Sequence, residues 1–196
     1  MEAKQNLIGW VLAGGKSQRM GQDKAMITYY GKPQALYIWE MLTHEGIEAH
    51  LSVGINLGMA DRLGVSGIMD LIPGQGPLGS IYTAQQRFPQ CAILLMACDM
   101  PRIGKEDVSL LIEKRKPTAD VSVFWNTESN QTEPMLSIWE TNSQPFVKEA
   151  LDQGRRSLMR LLAIMDVHAI PHPFPDHFLN INTREEWIAF QQSRRR

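Results

Sequence analysis

A short stretch directly after the first apolar run combines three glycines with three cations. It covers residues 12–24 and reads Leu-Ala-Gly-Gly-Lys-Ser-Gln-Arg-Met-Gly-Gln-Asp-Lys. Glycines let backbone N–H groups approach an anion closely, and Lys16, Arg19 and Lys24 can neutralise phosphate oxygens. The combination favours a polyphosphate-binding loop. The simpler alternative is a solvated turn whose cations only keep the surface soluble.

A carboxylate ends the most apolar segment of the chain. Residues 93–97 read Ile-Leu-Leu-Met-Ala, and Cys98, Asp99, Met100 and Pro101 follow. Ligands of open α/β sheets lie beyond the carboxyl ends of the strands, so Asp99 should share an edge with the glycine-rich loop. Mg²⁺ takes one or two protein carboxylates together with phosphate oxygens and water, which makes Asp99 the first candidate magnesium ligand. Asp70 is a second candidate acid, with a structural turn as the alternative.

Two segments of the chain partly match known phosphate-binding motifs. Gly15-Lys16-Ser17 copies the end of a Walker P-loop, but that motif needs a glycine where this chain has Trp10, which excludes a P-loop NTPase. Gly74-Gln75-Gly76-Pro77-Leu78-Gly79 spells a dinucleotide-binding fingerprint, with Asp99 further on. It follows the third predicted strand rather than the first, and Pro77 removes a backbone donor, so it remains only a weak alternative.

Other residue types that often do chemistry give weaker signals. Cys91 and Cys98 are an odd number of positions apart and should point to opposite faces of a strand, which argues against a disulfide. The histidines are isolated or lie in a Pro-rich loop over residues 172–177, and we expect surface or packing roles for them.

Short apolar runs alternate with segments of helical periodicity. The strands are predicted at residues 7–12, 49–53, 68–72, 92–97 and 121–125, and the helices between them at 34–45, 79–87 and 105–115. Such alternation is typical of a doubly wound, mostly parallel sheet.

The order changes in the last third of the chain. A strand at residues 135–139 should return antiparallel beside 121–125, which makes the sheet mixed. Two helices at 145–151 and 157–165 follow, and a last helix should begin at Thr183, with Glu186 completing a capping box. We therefore predict a Rossmann-like α/β fold with three α/β/α layers, formed by residues 1–196 as a single domain.

The composition limits the partners. With 20 Lys and Arg against 21 Asp and Glu, the formal net charge is −1, which disfavours general nucleic-acid binding. The longest apolar run is far shorter than the roughly 20 residues needed to cross a bilayer, so we expect no membrane association and a cytoplasmic location.

Several motifs together resemble the molybdenum cofactor guanylyltransferase family, within the wider group of nucleotidyltransferases. They follow one another over nearly the whole chain, at residues 12–24, 76–79, 98–101, 133–135, 154–158 and 180–183. Gly14-Gly15 with Asp23-Lys24 is closer to the guanylyl enzymes than to the cytidylyl ones, in which an alanine commonly replaces the first glycine. One departure is Gly54, where the family often has an Asn that helps to bind the nucleotide; here Asn56 lies two residues on.

The resemblance implies a role for each matching residue. The nucleotide site would comprise Leu12, Ala13, Gly14, Gly15, Lys16, Ser17, Lys24, Asp70 and Asp99. Lys24, Arg19 and Asp99 would be catalytic, with Asp99 holding Mg²⁺. The pterin side would be formed by Gly76, Pro77, Leu78, Gly79, Arg156, Asn180 and Asn182.

The implied reaction is GMP transfer from GTP to the terminal phosphate of metal-loaded molybdopterin, with release of pyrophosphate. Other cofactor-biosynthesis proteins and apo-molybdoenzymes are implied partners. Two alternatives stay open: a cytidylyl- or other nucleotidyltransferase with a different phosphorylated acceptor, and a noncatalytic nucleotide-binding carrier.

Overall fold

The computed structural model describes residues 6–14 and 23–193. Seven strands are present in that part of the chain: β1 (Leu7–Leu12), β2 (Glu48–Ser52), β3 (Gly67–Ile68), β4 (Ala92–Ala97), β5 (Val121–Asn126), β6 (Gln131–Trp139) and β7 (Val167–Pro171). The α-helices are α1 (Gln34–His44), α2 (Gly58–Leu63), α3 (Gly76–Arg87), α4 (Lys105–Glu113), α5 (Gln144–Asp152), α6 (Leu158–Leu162) and α7 (Arg184–Ser193). Short 3-10 helices lie at Lys24–Met26, Thr141–Ser143 and Pro175–Phe178.

All seven strands form one sheet in the order β3-β2-β1-β4-β6-β5-β7. Strands β3, β2, β1 and β4 run parallel, and β6 is antiparallel to both β4 and β5. Strand β7 then pairs in parallel with β5. The predicted mixed, mostly parallel sheet and its hairpin are confirmed.

The period-2 alternation of the central strands divides the core into two layers. On β1, Val11 packs with helices α1 and α4, whereas Trp10 packs on the opposite face with α3, α5 and α6. On β4, Met96 and Leu95 divide in the same way. The sheet is therefore covered by helices on both faces, which confirms the three-layer α/β/α prediction.

Strand β3 is shorter than the predicted strand at residues 68–72. Only Gly67 and Ile68 pair with β2, and the side chains of Met69 and Leu71 beyond them are 46% and 47% exposed. Regular pairing ends at Ile68, although Asp70 N still donates to Gly54 O at 2.7 Å beyond the end of β2, and Pro73, which has no N–H to donate, follows shortly afterwards. The apolar residues Met69, Leu71 and Ile72 therefore lie in an exposed loop, and the prediction that the strand extends to residue 72 was wrong.

The sequence pattern did not predict α2 or β7. Helix α2 opens on a glycine and has only six residues, so its helical signal is weak. Strand β7 ends at Pro171, and only two of its five residues, Val167 and Ile170, are aliphatic with branched side chains. It forms because β5 presents a free edge on which residues 167–171 pair in register.

Among the described residues, no helix is long and apolar enough to cross a membrane.

Candidate active site

The carboxyl ends of β1, β2 and β4 meet at one edge of the sheet. Leu12, the last residue of β1, is paired with Ser52 on one side and with Ala97 on the other. The chain segments that leave these three strands begin with Ala13, Val53 and Cys98. The edge therefore brings together the start of the glycine-rich segment and Asp99, as predicted.

Three polar side chains from distant parts of the chain converge at this edge. Lys24 Nζ lies 3.2 Å from Asp99 Oδ2 and 2.5 Å from Asn182 Oδ1. Lys24 opens a 3-10 helix whose N-cap is Asp23, with Asp23 Oδ1 accepting from Ala25 N at 3.1 Å. The structure thus joins two predicted catalytic residues. It also places Asn182 on Lys24, although the resemblance assigned Asn182 to the pterin side.

A small apolar cluster holds the two outer segments against each other. Ile27 and Tyr29, just after Lys24, pack with Ile181 and Phe190. Ile181 N also donates to Asp99 O at 2.7 Å, which ties the chain before α7 to the end of β4. Burial of these side chains positions Asn182 and Lys24 at the end of the sheet.

One oxygen of Asp99 has no hydrogen-bond partner among the described residues. Asp99 Oδ2 faces Lys24, whereas Asp99 Oδ1 is buried and unsatisfied. A buried carboxylate oxygen without a donor is costly, and each such group needs an explanation. A hard divalent cation would satisfy it, since such cations take carboxylate oxygens as ligands. The described residues therefore fit the expected magnesium.

A second carboxyl group, Glu133, lies close to Asp99. Burial raises the pKa of Glu133, the hydrogen bond from Met135 N opposes the rise, and the negative charge of Asp99 adds to it. Glu133 Oε1 accepts that bond at 3.1 Å. Glu133 belongs to the motif at residues 133–135 and had no predicted role, because its approach to Asp99 depends on the pairing of β6 with β4.

Asp70 is the last member of a relay of hydrogen bonds that crosses the sheet edge. Trp10 Nε1 donates to Ser80 Oγ at 2.7 Å, Ser80 Oγ to Ser52 Oγ at 2.6 Å, and Ser52 Oγ to Asp70 Oδ1 at 2.9 Å. Burial raises the pKa of Asp70, and the Ser52 hydrogen bond partly opposes the shift. The relay fixes the orientation of a half-buried carboxyl group next to the ends of β1 and β2.

The backbone at Gly14 lies against the backbone that follows β2. A Cβ atom on Gly14 would stand 2.4 Å from Gly54 N, so only glycine fits this approach. Ala13 N and Gly14 N both donate to Ser52 O, at 2.9 and 2.7 Å. These two amides are therefore used within the fold, and Ala13 and Gly14 can line a ligand site by their shape.

The residues predicted for the pterin side have different environments. Gly76–Gly79 opens α3, with Gly76 at φ 61° and Pro77 in the first turn. The Leu78 side chain is fully buried in the core beneath α3. Arg156 is exposed just before α6, and Asn180 is exposed, with its amide group donating to Phe178 O at 3.3 Å.

Gly15, Lys16, Ser17 and Arg19, which were predicted to bind the nucleotide or to act in catalysis, lie outside the described residues.

A site of this kind at the carboxyl edge of a mostly parallel α/β sheet suits a nucleotidyltransferase. The chain belongs to the family of the MobA-like NTP transferase domain, whose profile matches residues 9–169. The family resemblance stated from the motifs is thereby confirmed.

Relatives and a solved structure agree with this membership. A "Probable molybdenum cofactor guanylyltransferase" of Flavobacterium johnsoniae is 29% identical over 189 residues, covering 93% of this chain and 95% of the relative. A protein of the same name from Synechococcus elongatus is 31% identical, covering 96% and 100%. The crystal structure of molybdopterin-guanine dinucleotide biosynthesis protein A from Archaeoglobus fulgidus shares the fold, with a TM-score of 0.79, 22% identity and coverage of 96% and 98%.

Proposed function

We propose that this nucleotidyltransferase transfers GMP from GTP to the terminal phosphate of metal-loaded molybdopterin, which yields the guanine dinucleotide form of the cofactor and pyrophosphate. The observation that carries the proposal is the convergence of Lys24, Asp99 and Asn182 at the carboxyl edge of the sheet. The names of the full-length relatives support the choice of nucleotide and acceptor.

Lys24 is proposed to bind the phosphate that undergoes substitution. Its ammonium group faces the oxygens of Asp99 and Asn182, so an arriving phosphate would find a cation that is already oriented. Leu12, Ala13, Gly14 and Asp70 would line the nucleotide. Gly15, Lys16, Ser17 and Arg19 would contribute to binding the β- and γ-phosphates.

Asp99 is proposed to hold Mg²⁺ through its unsatisfied oxygen Oδ1. When bound, the ion neutralises part of the phosphate charge. Since Asn182 Oδ1 is already within the same group of atoms, its amide oxygen is a further candidate ligand. Lys24 then remains available to stabilise the charge that develops on the α-phosphate during substitution.

The acceptor needs no general base from the protein. A phosphate monoester has its second pKa near about 6 and is largely dianionic at neutral pH, so it can attack the α-phosphorus directly. The protein must hold the acceptor phosphate and the GTP triphosphate in line, and its cations and glycine-rich segments are suited to binding these two anions. Gly76, Pro77, Leu78, Gly79, Arg156 and Asn180 are proposed to form the acceptor side, with Leu78 contributing only through its backbone.

The test is release of pyrophosphate by the purified protein with Mg²⁺ and metal-loaded molybdopterin. GTP, CTP, ATP and UTP are compared, each with and without the acceptor. We expect acceptor-dependent release with GTP. Release with CTP would overturn the assignment of the base and keep the reaction class. Binding of GTP without release under any condition would instead favour the noncatalytic carrier.

A further inference from the structure

A second group of polar side chains lies outside the proposed active site. Asp107 is in the first turn of α4, His172 directly follows β7, and His177 belongs to the 3-10 helix Pro175–Phe178. Each offers one ligand atom, and these three atoms lie within 4.8 Å of one another. Nothing in the proposed reaction uses them.

The two imidazole rings converge on one carboxylate oxygen. His172 Nε2 lies 2.8 Å and His177 Nδ1 2.9 Å from Asp107 Oδ1. The other oxygen, Oδ2, accepts from Gly104 N at 2.7 Å and so caps α4. The side chains of His172 and Asp107 are 0% and 4% exposed, whereas that of His177 is 33% exposed. The group is therefore built into the fold and opens to solvent on one side only.

His172 has a partner for its second ring nitrogen in either neutral tautomer. His172 Nδ1 lies 3.1 Å from Phe174 N and 2.9 Å from Phe174 O. With the proton on Nε2, the ring donates to Asp107 and accepts from Phe174 N. With the proton on Nδ1, it donates to Phe174 O, and the Nε2 lone pair faces Asp107. The second tautomer is the one that metal-binding histidines adopt, since their other nitrogen donates to a carbonyl or carboxylate.

Aromatic neighbours restrict the orientation of both rings. Phe124 and Phe178 lie against His172, with ring centroids 4.5 and 4.7 Å away. Phe174 stacks on His177 at 5.2 Å. These contacts hold the ring nitrogens towards Asp107. They therefore reduce the loss of side-chain entropy that would accompany ligand binding.

We propose that Asp107, His172 and His177 form a binding site for a divalent transition metal of the zinc class. Two imidazoles and one carboxylate are a ligand set that suits zinc, whereas Mg²⁺ prefers oxygen ligands and water. In the bound state His172 would carry its proton on Nδ1 and His177 on Nε2, so that His172 Nε2 and His177 Nδ1 coordinate the ion.

An open cleft lies beside His177, which is one of its lining residues. The cleft has a volume of about 720 Å³ and is lined in part by Tyr30, Arg102, Glu128 and Asp176. Water or a carboxylate from this cleft can complete a tetrahedral site. The site is thus distinct in ligand chemistry from the magnesium position proposed at Asp99.

The position in the chain gives the ion a structural role. It would join the start of α4 to the segment between β7 and α7, and the same segment continues to Ile181 and Asn182 at the active site. A bound ion would therefore fix the approach to Asn182 while remaining outside the group that contacts Lys24.

The test is metal binding by chelator-treated full-length protein. Zn²⁺ is titrated calorimetrically, and Co²⁺ is followed by its visible absorption, which reports tetrahedral coordination. We expect one ion of either metal per chain, and excess Mg²⁺ should not displace it. In His177→Gln, which removes a coordinating nitrogen, the affinity should fall by at least about tenfold, because loss of an outer-shell partner alone already costs about 10–100-fold.

The matched control is His44→Gln, because His44 is exposed at the end of α1. It should bind both ions as the wild type does. Thermal unfolding gives a second readout: Zn²⁺ should raise the transition temperature of the wild type and of His44→Gln by the same amount, and that of His177→Gln by less at the same Zn²⁺ concentration. Absence of stoichiometric binding by the wild type, or equal affinities of the wild type and His177→Gln, would overturn the proposal.

Discussion

Lys24 Nζ lies 3.2 Å from Asp99 Oδ2, although 75 residues separate the two in the chain. The pair is half-buried, with side-chain exposures of 26% and 20%. The net contribution of such a pair to stability is small, because the desolvation of the two charges offsets most of their attraction. We attribute the placement of this pair to function, and the first two predictions test the roles of Lys24 and Asp99 one at a time.

Lys24→Ala should lower kcat for nucleotidyl transfer by about 10²–10³-fold, since it removes the cation proposed to stabilise the phosphate charge. The measurement is steady-state pyrophosphate release. Lys148→Ala is the control, because Lys148 is an exposed lysine on α5 paired with Asp152. Equal rates for Lys24→Ala and the wild type would remove Lys24 from the mechanism.

Asp99→Asn should lower the magnesium-dependent rate by a similar factor of about 10²–10³, since it replaces a charged metal ligand by a neutral amide. Its circular dichroism should match that of the wild type. A titration of activity with Mg²⁺ checks the assignment. Asp152→Asn, an exposed acid on α5, should keep the wild-type dependence. An unchanged magnesium requirement in Asp99→Asn would contradict the proposed role.

Asp70→Asn should raise stability at neutral pH while weakening GTP binding. Burial raises the pKa of Asp70, so the folded state binds the proton more tightly than the unfolded state. Its contribution to stability is therefore fully present below the unfolded value of 3.8 and is lost as pH rises through the raised pKa.

The amide keeps an acceptor for Ser52 Oγ and carries no charge. Denaturant unfolding at pH 7 and near pH 3.5 checks this prediction. The Asn variant should gain stability relative to the wild type at pH 7, and the difference should shrink in acid. A variant less stable than the wild type at pH 7 would show that the ionised carboxyl is favoured in the fold.

Ile181→Ala should cost about 2–5 kcal/mol of unfolding free energy, because Ile181 is 1% exposed and its truncation leaves a cavity beside Tyr29 and Phe190. It should also reduce kcat, since Asn182 follows directly. Chemical denaturation and turnover are measured on the same preparation. Ile164→Ala, at a side chain 57% exposed, should change neither by much.

Gly14→Ala should destabilise the protein by about 1–3 kcal/mol and weaken GTP binding, because the new Cβ would meet Gly54 N at 2.4 Å. Gly58→Ala is the matched control. It adds a methyl group at the start of α2, where the nearest atom is a flexible side-chain oxygen of Asn56 at 3.3 Å. If Gly14→Ala is as stable as the control, the backbone after β2 can move aside.

The sequence predicted the central part of the fold because the apolar runs of β1 and β4 are short, strong and followed by turn residues. It also predicted that Asp99 shares a sheet edge with the glycine-rich segment, since parallel strands end at a common edge, but not the contact between Asp99 and Lys24. The apolar residues Met69 and Leu71 were misleading, because the pairing with β2 ends at Ile68 and both residues then lie in an exposed loop.

Other parts of the site depend on long-range packing. Asn182 reaches Lys24 only because Ile181 packs with Ile27, across more than 150 positions in the chain. The Trp10–Ser80–Ser52 relay to Asp70 and the meeting of Asp107 with His172 and His177 are likewise set by tertiary contacts. Spacing along the sequence carries no signal for them, which is why packing roles were expected for both histidines.

The most direct test of the account is the fate of the α-phosphate. The protein is incubated with GTP labelled at the α-phosphorus, Mg²⁺ and metal-loaded molybdopterin. The products are then separated and identified by mass spectrometry. If the protein catalyses the proposed guanylyl transfer, the label enters a molybdopterin guanine dinucleotide, with one pyrophosphate released for each molecule formed. Label found only in free GMP or remaining in GTP would contradict it.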